Sequence, residues 1–403
     1  MIAAPAADPR AEPRMRVLLI LVAAMVAAAA SAAESADFYD PGGLDLASGR
    51  PGAILRVAVL EGAPEGATAY RVIYRSTAFD GGAIPVSGVI VAPSGPAPAG
   101  GRPVVVWAHP TSGVEDQCAP SRARGFFGFV QGLGAMLKAG YVVAATDYPG
   151  LGMPGPHPYL VGVSEGRAVL DSVRAAHALP EAGASRRFAV WGHSQGGHAA
   201  LFAGVLAATY APELDLAGVA AAAPATELAT LLADDIATLG GRNLTAMTLW
   251  SWAQVYRAPI DDVVKAEALP VVQRLAGDCI ESVFDIFARM APSRALAKEF
   301  LKSQTFYETE PWRGLLARNS PGLPPKGAPL FLAQGTADDL VRPQVTQDYA
   351  DRACRAGRAV RMVWLPKGGH LYAARDSAAQ AVAWIGDRFA GLAPPNDCAA
   401  ATP

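Results

Sequence analysis

Gly192-His193-Ser194-Gln195-Gly196 sets one serine between two glycines, each two residues away. That spacing is a nucleophile elbow when a strand precedes it and a helix follows. Residues 188–191 (FAVW) form an apolar run of strand length, and residues 195–210 are alanine-rich and helix-like. A serine on so sharp a turn has a strained backbone, and the two arms of the chain pass close together. Glycine tolerates that approach. The turn lifts the Ser194 hydroxyl above a sheet and aims the first amides of the helix at whatever it attacks.

A serine hydroxyl is a weak nucleophile at neutral pH. It needs a base within hydrogen-bond reach, and the base needs an orienting acid. The chain has six histidines. His370 follows an apolar run at 360–365 and the loop Pro366-Lys367-Gly368-Gly369, which can carry an imidazole over a sheet edge. It is the expected base. His193 belongs to the elbow, and His198, one helical turn past Ser194, reads as a supporting or packing residue. His177 sits late in a helical stretch, and His157, between two prolines, reads as a rigid-loop residue at the cleft. The acid is expected where residues 330–333 lead into Gln334-Gly335-Thr336-Ala337-Asp338-Asp339-Leu340-Val341. Asp338 is favoured, with Leu340 and Val341 anchoring its loop. Asp339 is the alternative, although it suits the flank of the helix beginning near Pro343. The order Ser, Asp, His is that of elbow-bearing hydrolases.

Acyl transfer builds up an oxyanion, which two aligned N–H groups must meet. The amide of Gln195 is one candidate. The other lies in His109-Pro110-Thr111-Ser112-Gly113, and because Pro110 has no N–H, Thr111 is the expected donor. Asp147 and Tyr148 read as anchors for the turn at 149–152. The chemistry requires no metal and no organic cofactor.

The elements that must hold these residues follow a regular plan. Residues 55–60, 69–76 and 84–92 alternate valine and isoleucine between Gly and Pro clusters, as in an antiparallel start to a sheet. Strand-like runs at 104–108, 141–145, 188–191, 216–223, 330–333 and 360–365 then alternate with helix-like stretches at 126–139, 162–179, 195–210, 343–356 and 377–389. This alternation predicts an α/β fold with a mostly parallel sheet covered by helices on both faces. Residues 226–325 break the pattern and read as a helical insertion over the carboxyl edge of the sheet, where ligands bind in such folds. Its aromatic residues, Trp250, Trp252, Tyr256, Phe284, Phe287, Phe300, Phe306 and Trp312, suit either a hydrophobic substrate group or the insertion's own core.

The amino-terminal 36 residues stand apart. Met15 and Arg16 precede an apolar run at 17–30 and the small residues Ser31, Ala32 and Ala33, as in a secretory signal peptide, and Met15 is a second possible start. An uncleaved anchor is the alternative. Export makes disulfides the natural reading of the four cysteines, for which three pairings exist. Cys118–Cys279 and Cys354–Cys398 are favoured, the second tying down the carboxy-terminal tail. A net charge of −2 gives no reason to expect nucleic acid as a partner.

WGHSQGGHAAL, TDYPGLG at 146–152, PGPHPYLVG just after it, GTADDLV and the late GGH together resemble the secretory lipase family of α/β-hydrolases, typified by fungal lipase A-type enzymes. The resemblance runs from about residue 37 to 398. It implies a core at 37–225 and 326–403, a lid inserted after the sixth core strand at 226–325, two disulfides with the pairings above, and a triad of Ser194, Asp338 and His370. His109-Pro110 stands where many hydrolases have His-Gly, and the lid is poorly matched. The expected activity is hydrolysis of carboxylic esters by a secreted or periplasmic esterase or lipase, with triacylglycerol lipase included. The substrate is a small-molecule or lipid ester. Transient contact with a lipid interface would run through the lid, and no protein partner is evident. An acyltransferase, a peptidase and a catalytically inactive binding protein are the rival readings.

Overall fold

The continuous apolar run at 104–108 needs apolar neighbours on both faces, and the fold supplies them. In this computed structural model, which describes residues 38–280, 296 and 300–400, β4 (Arg102–Ala108) lies inside a nine-stranded sheet. Val104, Val106 and Ala108 enter one core with Phe188, Val190 and Leu332. Val105 and Trp107 enter another with Ala189, Trp191 and Phe331. Successive side chains of a strand point to opposite faces, so a strand buried on both sides has no polar positions.

The strand order is β1-β2-β3-β5-β4-β6-β7-β8-β9. β1 (Ile54–Leu60), β2 (Ala67–Thr77) and β3 (Ala83–Pro93) are antiparallel, and β3 meets β5 (Val142–Thr146) antiparallel. From β5 across β4, β6 (Ala184–His193), β7 (Asp215–Ala222), β8 (Leu330–Gly335) and β9 (Val360–Leu365) every pairing is parallel. The carboxyl ends of these strands therefore share one edge. The loops carrying Thr111, Ser194, Asp338 and His370 follow β4, β6, β8 and β9 at that edge.

Helices Gly162–Ala178, Gln195–Tyr210 and Pro343–Arg355 pack on one face, and helix Ala373–Phe389 on the other. The expected helix at 126–139 is two short ones, Phe126–Phe129 and Leu133–Lys138. The break falls at Gly132, whose φ of 86° is left-handed and caps the second piece. Between β7 and β8 the described residues form helices, chiefly Leu228–Asp235, Leu239–Val255, Leu269–Gly277 and Trp312–Asn319, with one isolated bridge between Val264 and Leu301. Trp252 and Trp312 stack there at 6.4 Å, and Phe306 meets Trp312 edge-on, all three buried. These aromatic rings belong to the same core as Trp107, Trp191 and Phe331 of the sheet. Phe284 and Phe287, like the expected signal peptide at 1–36, lie outside the described residues.

Contacts divide the chain into two units, Met1–Gly42 and Gly43–Pro403. In the first, the rings of Phe38 and Tyr39 meet edge-on at 5.2 Å. The sheet and its helices make up the second. Cys118 is joined to Cys279 and Cys354 to Cys398, the favoured pairings. Among the described residues no helix is long and apolar enough to cross a membrane.

The Cys354–Cys398 bridge spans 44 residues of sequence and ties the tail to helix Pro343–Arg355. Replacing both cysteines by serine should lower the unfolding free energy by about 2–4 kcal/mol through the freed unfolded chain. Urea denaturation of variant beside wild type measures it. An unchanged midpoint would show that the tether adds no stability.

Candidate active site

Ser194 takes φ 55° and ψ −117°, a conformation that side-chain-bearing residues rarely adopt. Its N–H donates to the carbonyl of Ala222 at 3.0 Å, and its own carbonyl accepts from the N–H of His198 at 3.0 Å, which starts the helix. The flanking glycines are required by contact. A Cβ on Gly192 would stand 2.0 Å from the carbonyl oxygen of Gly196, and one on Gly196 would stand 1.9 Å from that of Ala108. The elbow is thus wedged against the end of β4.

The Ser194 Oγ lies 2.8 Å from His370 Nε2, and His370 Nδ1 lies 2.9 Å from Asp338 Oδ2. The loops bearing the acid and the imidazole are joined by backbone. Thr336 donates to the Leu365 carbonyl at 3.0 Å, and Ala337 donates to that of Gly368 at 2.9 Å. Lys367 N–H donates to the Thr336 hydroxyl at 2.8 Å. Asp338 is fully buried and also accepts from the N–H groups of Leu340 and Val341 and from the Gln334 amide, all at 2.9–3.0 Å. Burial alone would raise its pKa. The hydrogen bond and charge of His370, with the two backbone donors, outweigh it and hold the carboxyl below its ordinary value. Asp339, the alternative acid, is exposed.

His193 Nε2 donates to the carbonyl of His370 at 2.9 Å and so pins the imidazole loop to the elbow. Burial, aided by the nearby His370, pushes the His193 pKa down to about 3, which keeps the ring neutral.

A second polar cluster lies behind the elbow. Glu165 accepts from the backbone of Leu160 at 3.0 Å and from the Gln195 amide at 2.8 Å, and its other oxygen meets His198 Nδ1 at 2.7 Å. His198 Nε2 donates to the carbonyl of Asn319 at 2.7 Å. The Gln195 amide also donates to His157 Nε2 at 3.1 Å, while His157 Nδ1 donates to the carbonyl of Pro149 at 2.7 Å. His157 is therefore neutral, and burial lowers its pKa to about 4. It is buried behind Gln195, not exposed in a cleft. Asn319 Oδ1 accepts from Gly162, and Ser251 bridges the His157 carbonyl and the Tyr159 N–H, so helices Leu239–Val255 and Trp312–Asn319 grip the loop at 157–162. Glu165, Asn319 and Ser251 carry no local sequence signal, because their partners are remote in the chain.

Other sequence-derived candidates fall as follows. The Thr111 hydroxyl pairs with that of Tyr159 at 2.9 Å, in the loop after β4. Asp147 is buried and accepts from Ser87 at 2.7 Å and from both the amide and hydroxyl of Ser121, while Ser87 also donates to the Leu151 carbonyl at 3.1 Å. It is a structural anchor for the 149–152 turn. His177 is exposed and pairs with the Ala184 carbonyl at 2.8 Å. A small cavity opens beside Ser194 and Gln195. It is walled by Leu160, Leu228, Leu231, Leu232, Leu244, Leu340 and Val341, with Tyr159, Ala225, Asp235 and Thr248 completing the lining.

The strand order, the elbow and the loops at the carboxyl edge define an α/β-hydrolase fold. Candida antarctica lipase A in its closed state shares it with a TM-score of 0.73 at 19% identity, over 88% of this chain and 86% of that one. The rice cell wall degrading esterase LipA of Xanthomonas oryzae shares it with a TM-score of 0.69 at 21% identity, over 85% and 99% of the two chains. Residues 131–397 match the secretory lipase family, and the chain belongs to that family. Among its relatives, Lipase 2 of Candida albicans is 27% identical over 281 residues, 66% of this chain and 59% of the relative. The chain thus spans less than two thirds of that protein's length.

Two buried neutral histidines make a stability claim. In the unfolded chain each titrates near about 6.5, but in the fold His157 and His193 resist protonation down to about 4 and about 3. The unfolded state therefore binds more protons as pH falls below about 6.5, and stability, full above that pH, is lost toward acid. Each should cost about 2 kcal/mol at pH ~5 relative to pH ~8. His157→Gln, which keeps a donor and an acceptor, should lose less stability than wild type between those conditions in urea titrations. Equal losses would mean that His157 is not buried neutral.

Proposed function

We propose that this protein is a secreted serine hydrolase of carboxylic esters, an esterase or lipase acting through Ser194, His370 and Asp338. The observation that carries the reading is the pair of hydrogen bonds, 2.8 and 2.9 Å, that links hydroxyl, imidazole and carboxylate in series. Membership of the secretory lipase family supports both the ester substrate and the secreted setting.

His370 Nε2 removes the proton as Ser194 Oγ attacks the ester carbonyl. Asp338, ionised and held by four donors, stabilises the imidazolium that forms. The amide of Gln195 and that of Thr111 receive the oxyanion. As the carbonyl re-forms, the C–O bond to the alcohol breaks and His370 returns its proton to the departing oxygen. Water, activated by the same imidazole, then attacks the acyl-enzyme and releases the acid. The insertion at 226–325 acts as the lid, its leucines facing the acyl group and its outer face meeting a lipid surface. Because the site is complete in hydroxyl, base and acid, hydrolysis is favoured over a binding role on an inactive scaffold.

Initial rates on p-nitrophenyl esters from acetyl to palmitoyl test this. Wild type should turn over part of the series, and Ser194→Ala should abolish it. Asp338→Asn should lower kcat by about 10³–10⁴-fold, whereas Asp339→Asn should stay near wild type. No turnover by folded wild type across the series would overturn the ester-hydrolase reading, and a large loss in Asp339→Asn alone would move the acid.

A further inference from the structure

The helix Leu228–Asp235 presents Leu228, Leu231, Leu232 and Asp235 at spacings of three, four and seven, which is one face. All four border the cavity beside Ser194. Three are leucine, as an acyl wall requires. The fourth is a carboxylic acid that is only 5% exposed, and its Oδ1 has no hydrogen-bond partner among the described residues. An unpaired buried polar group is destabilising, and leucine at this position would avoid that cost. The free oxygen therefore points to a partner that arrives with the substrate.

We propose that Asp235 is a specificity-determining residue that binds a hydroxyl group carried on the acyl chain, so that the site prefers hydroxyacyl esters to plain alkanoyl ones. The proposal rests on Ser194 being the nucleophile. It assigns the cavity to the acyl group because Ser194 and Gln195 border it while His370, which must reach the departing alcohol, does not.

The charge around Asp235 decides which chemistry it can recognise. Burial first, then the neighbouring Asp234, Asp338 and Asp339, push its pKa up to about 8, against a smaller opposing effect from Arg342. Arg342 is engaged by Asp234 at 3.0 Å, and Arg242, on the adjoining helix, donates to the carbonyls of Ile236 and Ala237. At neutral pH Asp235 is thus an uncharged acid with an O–H to give. It suits a neutral oxygen and offers no anion to an ammonium group. Gln195, whose Oε1 is also buried without a partner, borders the same cavity and carries a spare acceptor. The hydroxyl of Thr248 is already spent on the Leu244 carbonyl. A ligand hydroxyl both accepts and donates, so it matches this lining better than a ketone.

The test compares kcat/KM for p-nitrophenyl hexanoate, 3-hydroxyhexanoate and 6-hydroxyhexanoate. Wild type should favour at least one hydroxyacyl ester over hexanoate by about tenfold, the effect of one well-placed hydrogen bond of ~1.4 kcal/mol. Asp235→Leu should bring that ratio to about one or below. Asp235→Asn, nearly isosteric, guards against a folding defect and keeps a donor. The wild-type preference should change as pH rises through about 8 and the acid turns from donor to acceptor, whereas that of Asp235→Asn should not change with pH. Hexanoate turnover in wild type, absent in Ser194→Ala, checks the hydrolase reading separately. Turnover of hexanoate with no hydroxyacyl preference, or a preference that survives Asp235→Leu, overturns the Asp235 assignment alone. No turnover of any ester overturns both.

Discussion

The molecule depends on one close approach of backbone to backbone. Gly196 passes so near the Ala108 and His109 carbonyls that no Cβ fits, and Gly192 leaves no room beneath it. This contact holds the end of β6 against the end of β4 and forces Ser194 into its left-handed conformation. A strained residue of this kind costs about 1–3 kcal/mol and persists only where its surroundings over-determine it. Here they do. β6 is buried on both faces from Phe188 to His193, and the helix after Ser194 is buried along nearly its whole first half. Its weak amphipathicity follows, because a helix enclosed by sheet, neighbouring helix and insertion has no polar face to keep.

Around that wedge the site is built from groups whose charge the fold has settled in advance. The loops after β8 and β9 are laced together by their backbones, so Asp338 and His370 are positioned as one unit. His193 grips that unit from the elbow side through the His370 carbonyl. Behind the elbow, Glu165, Gln195, His157, His198 and Asn319 are linked by hydrogen bonds in the interior. Low dielectric strengthens each of these bonds and makes each unpaired group costly, so a network of this kind fixes the first turn of the helix after Ser194.

Much of this was legible in the sequence because it rests on local rules. A strand buried on both faces must read as an unbroken apolar run, as 104–108 and 188–191 do, and strand-helix alternation leaves little freedom in topology. The glycines of the elbow are sterically obligatory, so their spacing survives as a readable motif. The remaining features are long-range. Glu165 and Asn319 look like ordinary polar helix residues until the fold sets them either side of His198. The helix expected at 126–139 breaks at Gly132, whose left-handed backbone the apolar spacing of the stretch does not reveal. Asp235 was a different kind of miss. Its position on the leucine face is plain in the spacing, but treating 226–325 as one helical block hid the one acid among the leucines.

Asp235 and Asp338 show how the same environment can sort two carboxyl groups. Both are buried, and the charge of Asp338 helps to raise the pKa of Asp235. Asp338 has two backbone N–H groups, the Gln334 amide and the imidazole turned toward it, and it stays ionised. Asp235 has an orphan oxygen and acidic neighbours, and it keeps its proton. Separation of this sort is what assigns one acid to stabilising positive charge and another to donating a hydrogen bond. The ionised member is hydrogen-bonded to the His370 imidazole, where the proposed attack would develop positive charge. The neutral member sits among the leucines that border the cavity beside Ser194. The pressures that keep Asp235 uncharged are thus also the ones that leave it an O–H to donate.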